Sequence, residues 1–398
     1  MIKHRGALGG VLTLAVAIGV AAGALPAGAA TAAPTVKRTA AQPAAITHDA
    51  QLRALMHRLT TADGAPGALL RTQNRHGTRV LTGGVADINS HAPVARDSRF
   101  RIGSMTKPFV ATVVLQLVGE HHVALDAPVA RYLPDLFRGH DAHDRQITVR
   151  QLLQHTSGLP DYLDVLDPAE ILKDPLAHHD ARDLVDLALA RPRTSEPGEG
   201  WRYSNTNYLI AGMLIERVTR NPYGEEISRR IIKPLHLSQT SLPGDATTIA
   251  GPHPRGYVRP GEGAPLMDLT ELNPSIAGAS GEMISSADDL NRFLGALVGG
   301  RLLRPAQLGA MMQTRPTGDK GREYGLGLER KELTPCGGVY WGHGGDIFGY
   351  QTAGGATTRG SQATVMANVD PGGTDAQDDD MEAAVQTALC EGRPGWRP

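Results

Sequence analysis

The sequence predicts a mixed fold of the α/β plus all-α class: an antiparallel β-sheet flanked by terminal helices, with a helical lobe inserted. Three observations carry that prediction. β-prone runs cluster towards both ends of the chain, helical periodicity fills the middle, and a helix-patterned segment lies outside each set of strands. A length of 398 residues suits one two-lobed body and can bury a sizeable core.

The first residues stand apart. Lys3 and Arg5 give a cationic start, Val11–Leu25 is apolar, and Ala-Gly-Ala at Ala27–Ala29 and Ala-Thr-Ala at Ala30–Ala32 follow. This is the layout of a cleaved secretory signal over residues 1–32. The apolar run is shorter than the roughly 18 residues of a membrane span, with an uncleaved anchor as the alternative. Residues 33–46 are rich in Ala, Pro and Thr and read as a flexible tether. The expectation is a protein secreted to the outside of the cell.

Helical patterning begins near His48, where Leu52, Leu55, Met56 and Leu59 recur at three-to-four spacing. Gly67–Gln73 and Thr78–Val85 flank the turn-like Asn74-Arg75-His76-Gly77 and predict a hairpin. Phe109–Val118 carries Val and Leu at helical spacing, and Pro- and Gly-broken helices continue to about Phe293. Leu184–Ala190, Tyr208–Val218 and Ala287–Leu297 are the clearest. Short β-prone runs then follow at Tyr324–Glu329, Gly338–Gly342, Gly349–Ala356 and Gln362–Val369, and Met381–Leu389 closes as a helix. The folded domain is expected over 47–392, its α/β lobe about 47–110 and 295–392, its helical lobe about 111–294.

Composition excludes several classes. The net charge of −1 argues against nucleic-acid binding, and no single-sign charge block suggests a disordered chain. No CxxC or HExxH pattern occurs, and His121-His122 and His178-His179 read as solvated surface, so no metal is expected. Cys336 and Cys390 are the only cysteines, and an oxidising exterior would let them pair.

The strongest chemical signal is Ser104-Met105-Thr106-Lys107 at the mouth of the Phe109 helix. Positions i and i+3 share a helix face, so the Lys107 amine can reach the Ser104 hydroxyl. Serine is a poor nucleophile until a base takes its proton, and burial lets lysine serve where arginine cannot. The choice is pointed in a chain with seven lysines against 33 arginines. A helix N-terminus also offers free N–H groups to a developing oxyanion. Tyr203-Ser204-Asn205 precedes another well-patterned helix, where a phenol can pass protons and an amide can both donate and accept. Trp341-Gly342-His343-Gly344-Gly345-Asp346 places an imidazole among glycines between two strand-like runs, where a ligand backbone can approach closely. Taken singly, a capped helix, a core tyrosine and a glycine-rich turn explain these as well. Trp201 and Trp341, each two residues before a motif member, wall the cleft or pack the core.

Together and in this order, Ser-x-x-Lys, Tyr-x-Asn and His-x-Gly resemble the serine β-lactamase and penicillin-recognising peptidase superfamily, in its class C-like branch. Leu125-Asp126-Ala127-Pro128-Val129, Tyr132-Leu133-Pro134, Leu152–Leu159 and Gly278–Leu290 extend the resemblance, which covers about Gly67 to Cys390. The secreted D-alanyl-D-alanine carboxypeptidases are closest in pattern, in the Tyr324–Leu328 run and the late cysteine pair. The resemblance implies a β-lactamase or DD-peptidase-like fold and acyl transfer through a Ser104 acyl-enzyme. It implies proton handling by Lys107 and Tyr203, substrate orientation by Asn205, and a cleft wall and local field from His343. The oxyanion would sit between the backbone N–H groups of Ser104 and Asp346, with Gly344, Gly345, Arg330 and Trp341 lining the substrate.

One departure is informative. The carboxypeptidases carry a threonine at the position of Gly344, whose hydroxyl helps hold the substrate carboxylate, and Arg330 is the nearest match to an arginine with the same task. The expectation is therefore a cofactor-free monomer, free of a membrane span once its signal is cleaved, acting on small peptides or β-lactams. D-Ala-D-Ala carboxypeptidase action leads, with a relaxed esterase, amidase or β-lactamase as the alternative. A non-catalytic cell-wall peptide or penicillin-binding module is the rival of another class.

Overall fold

The computed structural model describes residues 47–139, 141–261 and 263–391. The expected signal and tether lie outside these residues. Helix α1 (His48–Thr61) opens the fold, with the Thr47 hydroxyl capping it by accepting from the Ala50 N–H at 3.2 Å. The predicted hairpin follows as β1 (Gly67–Asn74) and β2 (Gly77–Gly84), paired antiparallel from Gly67↔Gly84 to Asn74↔Gly77. Strand β3 (Arg99–Arg101) leads through a 3₁₀ turn (Gly103–Met105) into α2 (Thr106–Gly119). The middle of the chain holds α3 (Val149–Leu153), α4 (Pro168–Lys173), α5 (Ala181–Leu189), α6 (Thr206–Thr219) and α7 (Tyr223–Ile227). Short β4 (Tyr257–Val258) and β5 (Met267–Asp268) pair with each other, and β6 (Ile284–Ser286) pairs with β3. Helices α8 (Ala287–Val298) and α9 (Pro305–Met311) precede β7 (Arg315–Pro316), β8 (Arg322–Tyr324), β9 (Glu329–Glu332), β10 (Val339–Ile347), β11 (Tyr350–Ala356) and β12 (Gln362–Ala367). Helix α10 (Asp375–Cys390) ends the described fold.

Eight strands form one antiparallel sheet in the order β2-β1-β12-β11-β10-β9-β8-β7. The two ends of the chain therefore meet in its middle, as the β-rich termini predict. Leu52, Met56 and Leu59 of α1 and Met381, Val385 and Leu389 of α10 pack with Leu70, Val365 and Ala367 in one apolar core. The second and larger core centres on α2, whose side chains are buried along almost its whole length. Phe109 of α2 stacks on Phe293 of α8 at 3.6 Å between ring centres. A helix buried all round cannot be a surface element: α6, α7 and α9 pack on α2, and α8, which stacks on it through Phe293, packs on β1, β11 and β12 of the sheet.

Three local expectations are corrected. Tyr324–Glu329 is not one strand: it is the corner between β8 and β9, because Leu326 N–H donates to Met311 O (2.9 Å) and Gly327 N–H to Leu153 O (3.1 Å). The His343-Gly344-Gly345 segment is not a turn between strands but lies inside β10. Gly345 is there for close approach, not for chain reversal. Helix α10 begins six residues earlier than Met381, the start read from periodicity, since its first turn is polar.

Cys336 and Cys390 form a disulfide with their Cα atoms 5.7 Å apart, tying the β9–β10 connection to the end of α10. Among the described residues no helix is long and apolar enough to cross a membrane, and no group of His, Cys, Asp and Glu is arranged to hold a metal ion. A Cys336→Ser/Cys390→Ser variant is expected to lose about 2–4 kcal/mol of unfolding free energy, from a closed loop spanning 54 positions. Urea unfolding checks this, and an unchanged midpoint would show that the bond does not constrain the unfolded chain.

Candidate active site

Lys107 lies in the first turn of α2 and is 0 % exposed. Its Nζ lies 2.8 Å from Ser104 Oγ, 2.7 Å from Asn205 Oδ1 and 2.8 Å from the Ser280 carbonyl oxygen. An ammonium has three protons, and here each has one acceptor. Removing one proton leaves two N–H bonds and a lone pair. The carbonyl of Ser280 and the Oδ1 of Asn205 have no proton to give, so only the contact with Ser104 can reverse. The free amine then accepts from the serine hydroxyl. Burial supplies that free amine by pushing the Lys107 pKa down to about 7, against the pull of Asp161, Asp346 and Glu329.

The aromatic wall is built on His155, which follows α3. His155 Nδ1 accepts from Ser204 N–H (3.2 Å) and from Asn207 Nδ2 (3.1 Å), leaving the ring proton on Nε2. Its ring stacks on Tyr203 at 4.2 Å, while Trp201 approaches it edge-on at 6.3 Å. Tyr203 in turn lies beneath Lys107 Nζ, 4.8 Å from the ring centre. Its hydroxyl is buried without a protein hydrogen bond. Burial holds the phenol well above its usual pKa, with the Ser104 side chain pulling the other way. Tyr203 is thus a neutral phenol near neutral pH, a proton donor and not a tyrosinate.

His343 on β10 stands 6.3 Å from Tyr203 between ring centres. Its Nδ1 lies 2.6 Å from the Gly344 carbonyl, which only accepts, so Nδ1 carries the proton and Nε2 accepts from the Tyr324 hydroxyl at 2.9 Å. Burial lowers its pKa to about 4. The imidazole is uncharged and shapes the field through its dipole. Beneath it, the 1 % exposed Glu329 is ion-paired with Arg322 and, at 3.3 Å, with Lys331. Burial raises the Glu329 pKa, but Arg322 and Lys331 outweigh it and keep the carboxylate ionised.

Two glycines bring the backbone amides together. A Cβ on Gly103 (φ +48°) would lie 2.7 Å from Asp346 N, and one on Gly345 would lie 2.0 Å from the Ile102 carbonyl oxygen. Strand β10 therefore presses directly against the turn that carries Ser104. Ile347 and Tyr350 close the β10–β11 hairpin, so alternation turns the Asp346 N–H to the other edge of β10. Strand β9 covers that edge only from Val339 to Gly342. Ser104 sits in the 3₁₀ turn one residue before its first intrahelical donor, the Met105 N–H to the Ile102 carbonyl at 3.1 Å. Two N–H groups are thus free to converge beside the Ser104 hydroxyl.

A family model described as Beta-lactamase matches residues 52–388. The chain belongs to that family. A D-stereospecific amidohydrolase from Streptomyces sp. is 39 % identical with a TM-score of 0.77, the match covering 85 % of this chain and 98 % of that one. D-amino acid amidase from Ochrobactrum anthropi SV3, complexed with L-phenylalanine amide, is 29 % identical at TM-score 0.74, covering 86 % and 97 %. Esterase EstB of Burkholderia gladioli is 31 % identical over 298 residues, 68 % of this chain and 70 % of that protein. The chain is a serine hydrolase of the β-lactamase family.

Ser104, Lys107, Tyr203, Asn205, His343, Gly345 and Asp346 come together. Arg330 on β9 pairs with Glu323 at 3.4 Å, and its strand neighbour Trp341 is a core residue only 7 % exposed. Both were expected to line the substrate. The Trp341 side chain packs in the main core, on the same face of β10 as His343. Trp201 is the tryptophan that joins the aromatic wall. Sequence reasoning assigned no role to His155 or Tyr324, although both lie inside quoted motif stretches, and passed over Asp161, two residues beyond one of them.

Acylation of Ser104 is expected to rise with pH through about 7, as Lys107 loses a proton. Lys107→Arg keeps the charge but cannot act as a base, so it and Lys107→Ala are each expected to lose about 10²–10⁴-fold in acylation rate. Stopped-flow acylation by a chromogenic ester measures both effects, and a profile flat from about pH 5 to 9 would remove the lysine from the proton path.

Proposed function

We propose that the chain is a secreted amidase or esterase that transfers the acyl part of D-amino-acid amides, esters or D-alanyl peptides through Ser104 to water. One observation carries the reading: of the three hydrogen bonds at Lys107 Nζ, only that with Ser104 can reverse. Lys107 takes the hydroxyl proton as Ser104 Oγ attacks the carbonyl carbon. The carbonyl oxygen becomes an oxyanion facing the Ser104 and Asp346 N–H groups. Tyr203 gives its proton to the departing amine or alcohol and recovers one from Lys107. Water, activated by the same pair, then releases the acid and restores the serine.

The D-amino-acid preference is supported by the names of the Streptomyces and Ochrobactrum relatives, and the ester alternative by that of the Burkholderia enzyme. The preference for amides and esters over carboxylate-ended peptides rests on what faces the cleft. Gly344 brings no hydroxyl, and the Arg330 guanidinium is engaged by Glu323. Carboxypeptidase action on D-alanyl-D-alanine ends is the second reading, favoured by the motif order Ser-x-x-Lys, Tyr-x-Asn, His-x-Gly. Secretion is supported by the layout of residues 1–32 and by the Cys336–Cys390 bond, which suits an oxidising compartment.

Ser104→Ala is expected to abolish hydrolysis and covalent labelling by a fluorescent penicillin, and labelling that persists would overturn the nucleophile assignment. Side-by-side rates on a D-alanine amide, a short p-nitrophenyl ester, a D-Ala-D-Ala peptide and a chromogenic cephalosporin decide the substrate class. The amide and ester are expected to lead. A Cβ at Gly344 would meet nothing closer than the Thr352 carbonyl at 3.8 Å, so a larger side chain fits there. Gly344→Thr is expected to raise the peptide-to-amide rate ratio by about tenfold, the worth of one hydrogen bond to a charged group. An unchanged ratio would clear Gly344 of any part in carboxylate rejection.

A further inference from the structure

Asp161 lies beyond α3, 44 positions before Asn205 in sequence, and is almost buried. Its Oδ1 accepts from the Leu163 N–H at 3.1 Å, which starts a 3₁₀ turn (Tyr162–Asp164). Its Oδ2 accepts twice from Asn205, from the backbone N–H at 3.0 Å and from Nδ2 at 2.8 Å. All three partners are N–H donors, and a protonated carboxyl would have no acceptor among them. Burial raises the Asp161 pKa above the usual carboxylate value, and these bonds oppose the rise.

The consequence falls on Lys107. An asparagine amide has two ends of similar shape, and only one suits its neighbour here. With Nδ2 held by a carboxylate, Oδ1 must face Lys107 Nζ, as it does at 2.7 Å. A reversed amide would point an N–H at the amine's lone pair, the pair that the Ser104 hydroxyl has to reach. We propose that Asp161 is a positioning residue for acyl transfer, acting through Asn205 to reserve the Lys107 lone pair for Ser104. The inference rests on the Ser104–Lys107 reading given above.

Asp161 has a second effect through its charge. The ionisable groups bearing on Lys107 come from several elements: Asp161 from the loop after α3, Glu329 from β9, and Asp346 and His343 from β10. His155 after α3, Tyr203 before α6 and Tyr208 within α6 complete the set. The two histidines and both tyrosines are neutral near pH 7, because burial opposes charge on each. Among the carboxylates Asp161 leads those that favour the ammonium form. Taking its charge away should let the amine lose its proton at lower pH.

The test is acylation by a chromogenic ester across about pH 5–9, with thermal melting to report folding. Asp161→Asn is expected to slow acylation about 10–100-fold at alkaline pH and to move the acid limb about half a unit or more downward. The double variant Asp161→Asn/Asn205→Asp keeps an amide bonded to a carboxylate but sets the charge directly against Lys107. Its acid limb is expected to move upward, and a merely structural role would not reverse the direction. Limbs that stay at the wild-type position in both variants, or rates within about twofold of wild type for Asp161→Asn, would overturn the proposal. Where Asp161→Asn does not fold, the double variant supplies the same readout. A Ser104→Ala enzyme that still turned over would sink the proposed function itself, whereas unmoved limbs with an inactive Ser104→Ala enzyme would sink only the role of Asp161.

Discussion

Three acceptors around one buried amine are the constraint on which the rest of the molecule depends. Each comes from a different part of the chain: a turn ahead of α2, the start of α6, and the 3₁₀ turn (Gly278–Ser280) ahead of β6. None is useful unless α2 is held where all three can reach it. That explains a central helix buried on every side, with α6, α7, α8 and α9 packed around it. The same enclosure lowers the proton affinity of Lys107, so packing and reactivity have one cause.

The surroundings of that amine are polar in kind yet mostly uncharged. Two imidazoles and the phenols of Tyr203, Tyr208 and Tyr324 are all kept neutral by burial. The proton on each imidazole is assigned by neighbours that can only accept or only donate, as with His343 Nδ1 against the Gly344 carbonyl. Charge is left to the lysine and to the carboxylates behind it. An incoming carbonyl meets a site whose dipoles are already set, which is the condition for stabilising an oxyanion without reorganisation.

Much of this was legible in the sequence. The hairpin at Asn74–Gly77, the long helices and the meeting of both chain ends in one sheet follow from periodicity and composition. Ser104 and Lys107 follow from i, i+3 spacing. What escaped has a common physical reason. Local pattern reports the secondary structure of a segment, but not the segment pressed against it. Gly344 and Gly345 read as a turn because glycine usually marks one, whereas Gly345 is needed for the approach of β10 to Ile102. Asp161 reads as a polar residue after a proline, and its importance lies in a contact with Asn205 across 44 positions. Arg330 sits before the first cysteine as expected, but Glu323 one strand away claims its guanidinium.

The pairing of β1 with β12 has a consequence for biogenesis. Gly67 N–H donates to the Asn368 side chain across 301 positions, and the interior of the sheet is closed only by the last strand. The amide that Asp346 offers to Ser104 likewise arrives from the far end of the chain. A nascent polypeptide still emerging from the ribosome has the nucleophile early but lacks the strand opposite it until nearly all of translation is done. Such long-range closure is slow to form. The strand that faces Ser104 is therefore among the last parts of the fold to become available.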